Sequence, residues 1–153
     1  MTDIPNKTVI RAWARLMKAQ QLVLAFVEQN IKEAGLPPLA WYDVLLEVER
    51  AEPNGLRPFE LEMTMLLAQY NLSRLVDRIE RAGYVERKAC EDDGRGQLIV
   101  ITDTGKAVRR KMWPVYAKAI EAAIGMHLSD KEAKGLDTIL GILIEGRYRT
   151  IRD

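Results

Sequence analysis

"AQYNLSRLVDRIERAGYVERKACEDDGRGQLIVITD", residues 68–103, places two different periodicities back to back. Wound at 3.6 residues per turn, its first half puts Leu72, Leu75, Val76, Ile79 and Ala82 on one face. Tyr70, Ser73, Arg74, Asp77, Arg78 and Arg81 fall on the other. The spacing predicts a helix over 68–82 that stops at Gly83. The second half, rich in Val, Ile and Tyr, predicts two strands, 84–90 and 97–102, joined by a polar tip at 91–96. Arg95 stands in that tip between two glycines.

Working outward, residues 7–34 predict a long helix from the recurrence of Val9, Ile10, Trp13, Leu16, Met17, Val23, Leu24, Val27 and Ile31. Gly35 and Pro37-Pro38 end it. A second helix is expected at 38–51. A turn follows at Pro53-Asn54-Gly55, then a short helix at 58–65 opened by Pro58. Beyond the hairpin, Thr102 or Asp103 can cap a helix over 103–126, in which Pro114 should produce a kink. Ser129 and Glu132 form a capping box for a last helix over 130–146 or longer, with Leu136, Ile139, Leu140, Leu143 and Ile144 as its apolar stripe. A short helix, a tight connection, a polar-faced helix and a hairpin make the order of a winged helix-turn-helix. The expected fold is thus mainly α with a small β-hairpin wing. The apolar terminal helices could pack on each other within one chain or supply a dimer interface.

A chain of 153 residues with 48% hydrophobic content suits a single domain with a sizeable core. No apolar run approaches a membrane span, and the first residues lack the order of a signal peptide, so a cytoplasmic protein is expected. The net charge of +1 says little, but residues 57–111 hold 11 basic against 9 acidic groups and most of the arginines, a pointer to an anionic partner. The polar face of the 68–82 helix adds to it. Arg can bond guanine at two atoms, Asn and Gln can do so with adenine, and Ser and Tyr suit phosphate oxygens. Gln69, Tyr70, Asn71, Ser73, Arg74 and Arg78 are therefore candidate DNA contacts. Taken alone, such a helix is more often an ordinary surface helix, with Asp77 and Arg81 as an i,i+4 pair.

The stretch "NLSRLVDRIERAGYVERKACEDDGRGQLIVITDTGKAV", 71–108, resembles the MarR family of bacterial transcriptional regulators. The points of resemblance are Ser73-Arg74, the run Leu75 to Arg87, Asp93-Gly94-Arg95, and Thr102 to Gly105. "PPLAWYDVLLEVE" resembles the family's second helix. The resemblance implies one domain over 1–153. Its winged core would span about 38–102, and the helices at 7–34 and 103–153 would interlock in a homodimer. It implies that the 68–82 helix enters the major groove of a near-palindromic operator. Arg95 would reach the adjacent minor groove, where negative potential concentrates, with Asp93 orienting it. It implies, further, a small aromatic or phenolic ligand near Trp41, Tyr42 and Trp113, with Met63 and Met65 as a soft wall. The chain departs from the family where the turn between the two helices usually carries glycine: Leu66 stands there. A homodimeric repressor relieved by such a ligand is the implied function. The competing reading is a winged module that binds small molecules or proteins without DNA.

An enzyme fits least, because no buried nucleophile or acid–base pair is visible. Cys90 is the sole cysteine and reads as a plain strand residue; the family's sensor cysteines lie elsewhere, near the first helices. His127, the sole histidine, has no companions for a metal site and is expected exposed at a helix end. No metal or cofactor is expected. Asp92 and Asp93 belong to a solvated turn, and "GRG" lacks the setting of a phosphate loop. Trp13, Trp41, Tyr42, Trp113 and Tyr116 are expected in the core.

Overall fold

The computed structural model describes residues 3–90 and 96–152, the last five by backbone alone. Along the chain lie α1 (Lys7–Glu33), α2 (Leu39–Arg50), α3 (Pro58–Thr64), α4 (Leu72–Arg81), β1 (Val85–Ala89), β2 (Gln97–Ile101), α5 (Asp103–Ile120) and α6 (Asp130–Arg152). These follow the predicted order, with differences at particular ends. Among the described residues no helix is long and apolar enough to cross a membrane. The described residues fall into two compact units, one over 28–116 and one formed by the chain up to Val27 and from Ala117 onward.

The 28–116 unit contains a core of Val44, Leu45 and Val48 from α2, Leu61 from α3, and Leu75, Val76 and Ile79 from α4. Val85 from β1 and Ile99 and Ile101 from β2 complete it. The alternation of the strands explains the last three, since every second residue faces the helices. β1 and β2 pair antiparallel with Val85 opposite Ile101 and Ala89 opposite Gln97. Leu56 adds a one-residue third strand: its N–H donates to the Ile99 oxygen at 3.0 Å and its oxygen accepts the Ile99 N–H at 2.7 Å. Gly55 precedes it with φ +76°, and a Cβ there would fall 2.6 Å from the Ile99 carbonyl oxygen. Both facts call for glycine.

The corner where β2 meets α5 is held by one hydroxyl. Thr102 Oγ1 donates to the Gly83 carbonyl at 2.7 Å and accepts the Gly105 N–H at 3.0 Å, so Thr102 caps α5. A Cβ on Gly105 would lie 2.1 Å from the Tyr84 carbonyl oxygen, which is backbone and cannot swing aside. Gly105→Ala is therefore expected to destabilise the chain by about 1–3 kcal/mol, read as a lower urea midpoint at unchanged slope.

The predicted helix over 103–126 is corrected at its end. The α-helix runs through Pro114 but ends at Ile120, and Glu121–Gly125 form a π-helical turn. There the Met126 N–H reaches back five residues to the Glu121 oxygen at 2.8 Å. The capping box of α6 forms as expected: the Ser129 N–H donates to Glu132 Oε1 at 3.0 Å and the Glu132 N–H to Ser129 Oγ at 3.1 Å. These bonds from Ser129 hold the Glu132 carboxyl below its ordinary pKa. His127 is exposed in the turn before α6.

The stripes on the terminal helices are not covered by other described residues of the chain. Val9, Ile10 and Trp13 on α1 are 50–64% exposed, and Ile139, Leu143 and Ile144 on α6 are 53–59% exposed. Trp13 is thus a surface residue of the single chain rather than a core one. Trp113 is also exposed, at 47%. Tyr42 is buried, and Trp41 and Tyr116 are half-buried.

Candidate nucleic-acid interface

The helix expected to start at residue 68 begins at Leu72. Asn71, with non-helical backbone, is its N-cap, and Asn71 Oδ1 accepts the Arg74 N–H at 3.1 Å. Gln69 and Tyr70 consequently lie on the connection before the helix, Gln69 half-buried and Tyr70 wholly exposed. Ala82 is the C-cap and is exposed, not part of the apolar face. The rest of the face holds. Ser73, Arg74, Arg78 and Arg81 are exposed along α4, opposite the buried Leu75, Val76 and Ile79.

α4 is clamped to the wing by Arg87. Its Nη2 meets Asp77 Oδ1 at 2.8 Å and its Nη1 meets Glu80 Oε1 at 2.8 Å, while its N–H donates to Glu80 Oε2 at 3.2 Å. Asp77 is therefore matched across to β1, not along its own helix to Arg81. A fork on two carboxylates fixes direction as well as charge. It leaves Arg74, Arg78 and Arg81 as the guanidinium groups on the outer face. At the far end of the hairpin, the Cys90 N–H donates to the Gly96 oxygen at 2.8 Å, closing the ladder. Arg95 and Asp93 lie outside the described residues. Cys90 is 6% exposed and its sulfur accepts a hydrogen bond from Arg57 Nη2 at 3.4 Å.

The turn from α3 to α4 has a support that sequence reading missed. Asp43 of α2, 6% exposed, is the one buried acidic side chain among the described residues. Its Oδ1 accepts the Leu66 N–H at 3.1 Å and its Oδ2 accepts the Leu67 N–H at 2.8 Å. No residue other than glycine has a positive φ among the described residues, so Leu66 does not imitate the glycine it replaces. The carboxylate holds the turn instead. The signal available in "LAWYDVLLEVE" was an acid flanked by Tyr42 and Val44 on the apolar face of α2, which needs a partner if it is to be buried.

Asp43 also lines a cleft of about 630 Å³ within the same unit. Tyr42, Trp113 and Tyr116 form its aromatic wall, with ring centroids 5.0 Å apart for Tyr42 and Tyr116 and 6.2 Å for Tyr42 and Trp113. Met65 lines it as well. Trp41 is not among its lining residues; that ring packs edge-on to Tyr84 at 6.0 Å. Met63 is likewise absent from the wall and is exposed. Arg109 is hydrogen-bonded to Glu49, which raises its pKa above the ordinary value, and Tyr42 adds to this. Burial first, then the charges of Asp43 and Tyr42, raises the Tyr116 phenol above its usual pKa.

Comparison with known proteins matches this architecture. A model of the MarR family matches residues 34–96, from just before α2 to just before β2. An HTH-type transcriptional regulator of Bacillus cereus is 28% identical over 102 residues, 67% of this chain and 65% of that relative's length. The MarR family transcriptional regulator Sco3205 of Streptomyces coelicolor, solved in complex with DNA, superposes with a TM-score of 0.83 at 26% identity. That alignment covers 94% of this chain and 93% of Sco3205. AbsC, a MarR family transcriptional regulator of the same organism, superposes with a TM-score of 0.82 at 24% identity over 96% of this chain and 99% of AbsC. With the amphipathic α4, the clamped wing and the helices on either side, these matches show the winged helix-turn-helix fold of MarR family regulators, and residues 34–96 match that family's model.

Proposed function

We propose that the protein is a homodimeric, sequence-specific DNA-binding repressor of transcription, released from its operator by a small molecule. The observation that carries the DNA reading is α4. Its buried face locks into the core while Ser73, Arg74, Arg78 and Arg81 stand exposed together on the other. Such a helix suits a major groove, where Arg reads guanine and hydroxyls meet phosphate. Gln69, Tyr70 and Asn71 lie at its start, where recognition helices meet base edges. Asn71 does so while its oxygen serves the cap. Arg95 would extend the contact to the minor groove, with Asp93 as its support. The Sco3205 complex with DNA favours this reading. So does a transcriptional repressor, MprA of Escherichia coli, 27% identical over 70 residues, 46% of this chain and 40% of MprA. The action would take place in the cytoplasm.

The test is fluorescence anisotropy on DNA sites selected from a random pool, with scrambled DNA beside them at two salt concentrations. Binding that depends on sequence and weakens with salt is expected. Equal, feeble binding to every DNA would move the reading to a winged module that does not use DNA.

The dimer reading rests on the open stripes of α1 and α6. Apolar surface of that extent calls for a partner, and a two-fold pair of copies is the commonest one. The protein is expected to sediment at twice its 17.4 kDa. Leu143→Glu, which places a charge in the α6 stripe, should shift it to monomer and abolish tight operator binding, since one half-site then acts alone. A parent protein sedimenting as monomer at micromolar concentration would refute the dimer. The ligand reading rests on the aromatic cleft, with Tyr42 and Trp113 in its wall and Trp41 packed on Tyr84 outside it.

A further inference from the structure

The cleft sets an imbalance of charge against its aromatic wall. Its guanidinium groups are already matched: Arg109 is bound to Glu49, and Arg50 to Glu47 at 3.0 Å. Asp43 has no cationic partner among the described residues; its oxygens accept the N–H groups of Leu66 and Leu67. A carboxylate oxygen can accept two hydrogen bonds, so each oxygen keeps a lone pair. An anion entering the cleft would meet this carboxylate with both nearby arginines occupied. A cation would meet an acid that has no cationic partner of its own among the described residues.

We propose that the cleft takes a flat aromatic ligand carrying a positive, N–H-donating group, and that Asp43 is the positioning residue through which it acts on α4. The inference rests on reading the cleft as a ligand site. The ring lies against Tyr42, Trp113 and Tyr116, and the donor bonds Asp43. The same two oxygens hold the turn before α4. A ligand that draws on them weakens the bonds to Leu66 and Leu67, and the outer face of α4 loses its fixed placement. The differential affinity needed for a population shift has a physical source: the carboxylate released from the turn binds the cation better than the one still holding it.

Benzamidinium and benzoate are nearly the same shape with opposite charge, and serve as the probes. Binding to the full-length protein is measured by calorimetry, operator affinity by anisotropy with and without probe, and the Leu66 and Leu67 amides by hydrogen exchange. Benzamidinium is expected to bind about tenfold or more tighter than benzoate, the scale of one charged hydrogen bond. It should weaken operator binding and speed exchange at both amides. In Asp43→Asn the preference between the probes should collapse, and the one amide that loses its acceptor should exchange quickly with no probe present. Tighter binding of benzoate would overturn the charge assignment while leaving the cleft a ligand site. Benzamidinium binding without any change in exchange or operator affinity would overturn the role of Asp43. Binding of neither probe would refute the ligand reading of the cleft and this inference with it. Should Asp43→Asn fail to fold, the comparison of probes on the parent protein decides alone.

Discussion

Arg74→Ala is expected to lower affinity for the selected operator about 5- to 150-fold, the value of one bidentate base contact of about 1–3 kcal/mol. Stability should stay within about 0.5 kcal/mol of the parent, as for most exposed substitutions. The separation is possible because only the backbone N–H of Arg74 serves the fold, as the donor to Asn71. The side chain is exposed on the first turn of α4. The pattern of loss is as informative as its size. A loss confined to one base position marks readout of that base. A uniform loss with a salt slope reduced by about 1 marks a phosphate contact. An Ala variant that matched its parent on every site would remove Arg74 from the interface. Arg95→Ala, measured beside it, reports on the wing in the same way.

Ile79→Ala lies on the same helix and should behave in the opposite manner. Ile79 is wholly buried in the core shared by α2, α3, α4 and the strands. Removing its outer carbons costs their transfer energy and leaves a cavity, together about 2–5 kcal/mol. That is a large share of the ~5–15 kcal/mol that holds a domain together. The urea midpoint should fall strongly. Operator affinity per folded molecule should fall far less than in Arg74→Ala, because the outer face is untouched. If Ile79→Ala left the midpoint unchanged, the packing of α4 described above would be wrong.

The difference between those two residues was legible in the sequence, because a 3.6-residue period separates the faces of a helix without reference to anything else. The hairpin was legible too, from β-branched runs on either side of a polar tip. What the sequence hid was set at long range. The start of α4 moved from 68 to 72 because Asn71 caps it and because Asp43, 23 residues earlier than Leu66, holds the preceding turn. The Leu56 bridge exists only because Ile99 lies across from it. Asp77 looked paired with Arg81 at helical spacing, and the stronger fork came from Arg87 on the strand. Trp13 was read as a core residue, while the stripes of the terminal helices left their cover open. An apolar stripe reads alike whether its cover is the same chain or a second copy.

The Asp43 turn also matters for redesign. In a turn made by glycine, the residue itself satisfies the backbone, and that position cannot be varied. Here the conformation is imposed from outside, on two N–H groups that every residue but proline possesses. Leu66, Ala68 and Tyr70 are exposed and owe the turn nothing through their side chains. Libraries randomised at these three positions should keep the fold, so new operator preferences can be sought beside α4 without first repairing the scaffold.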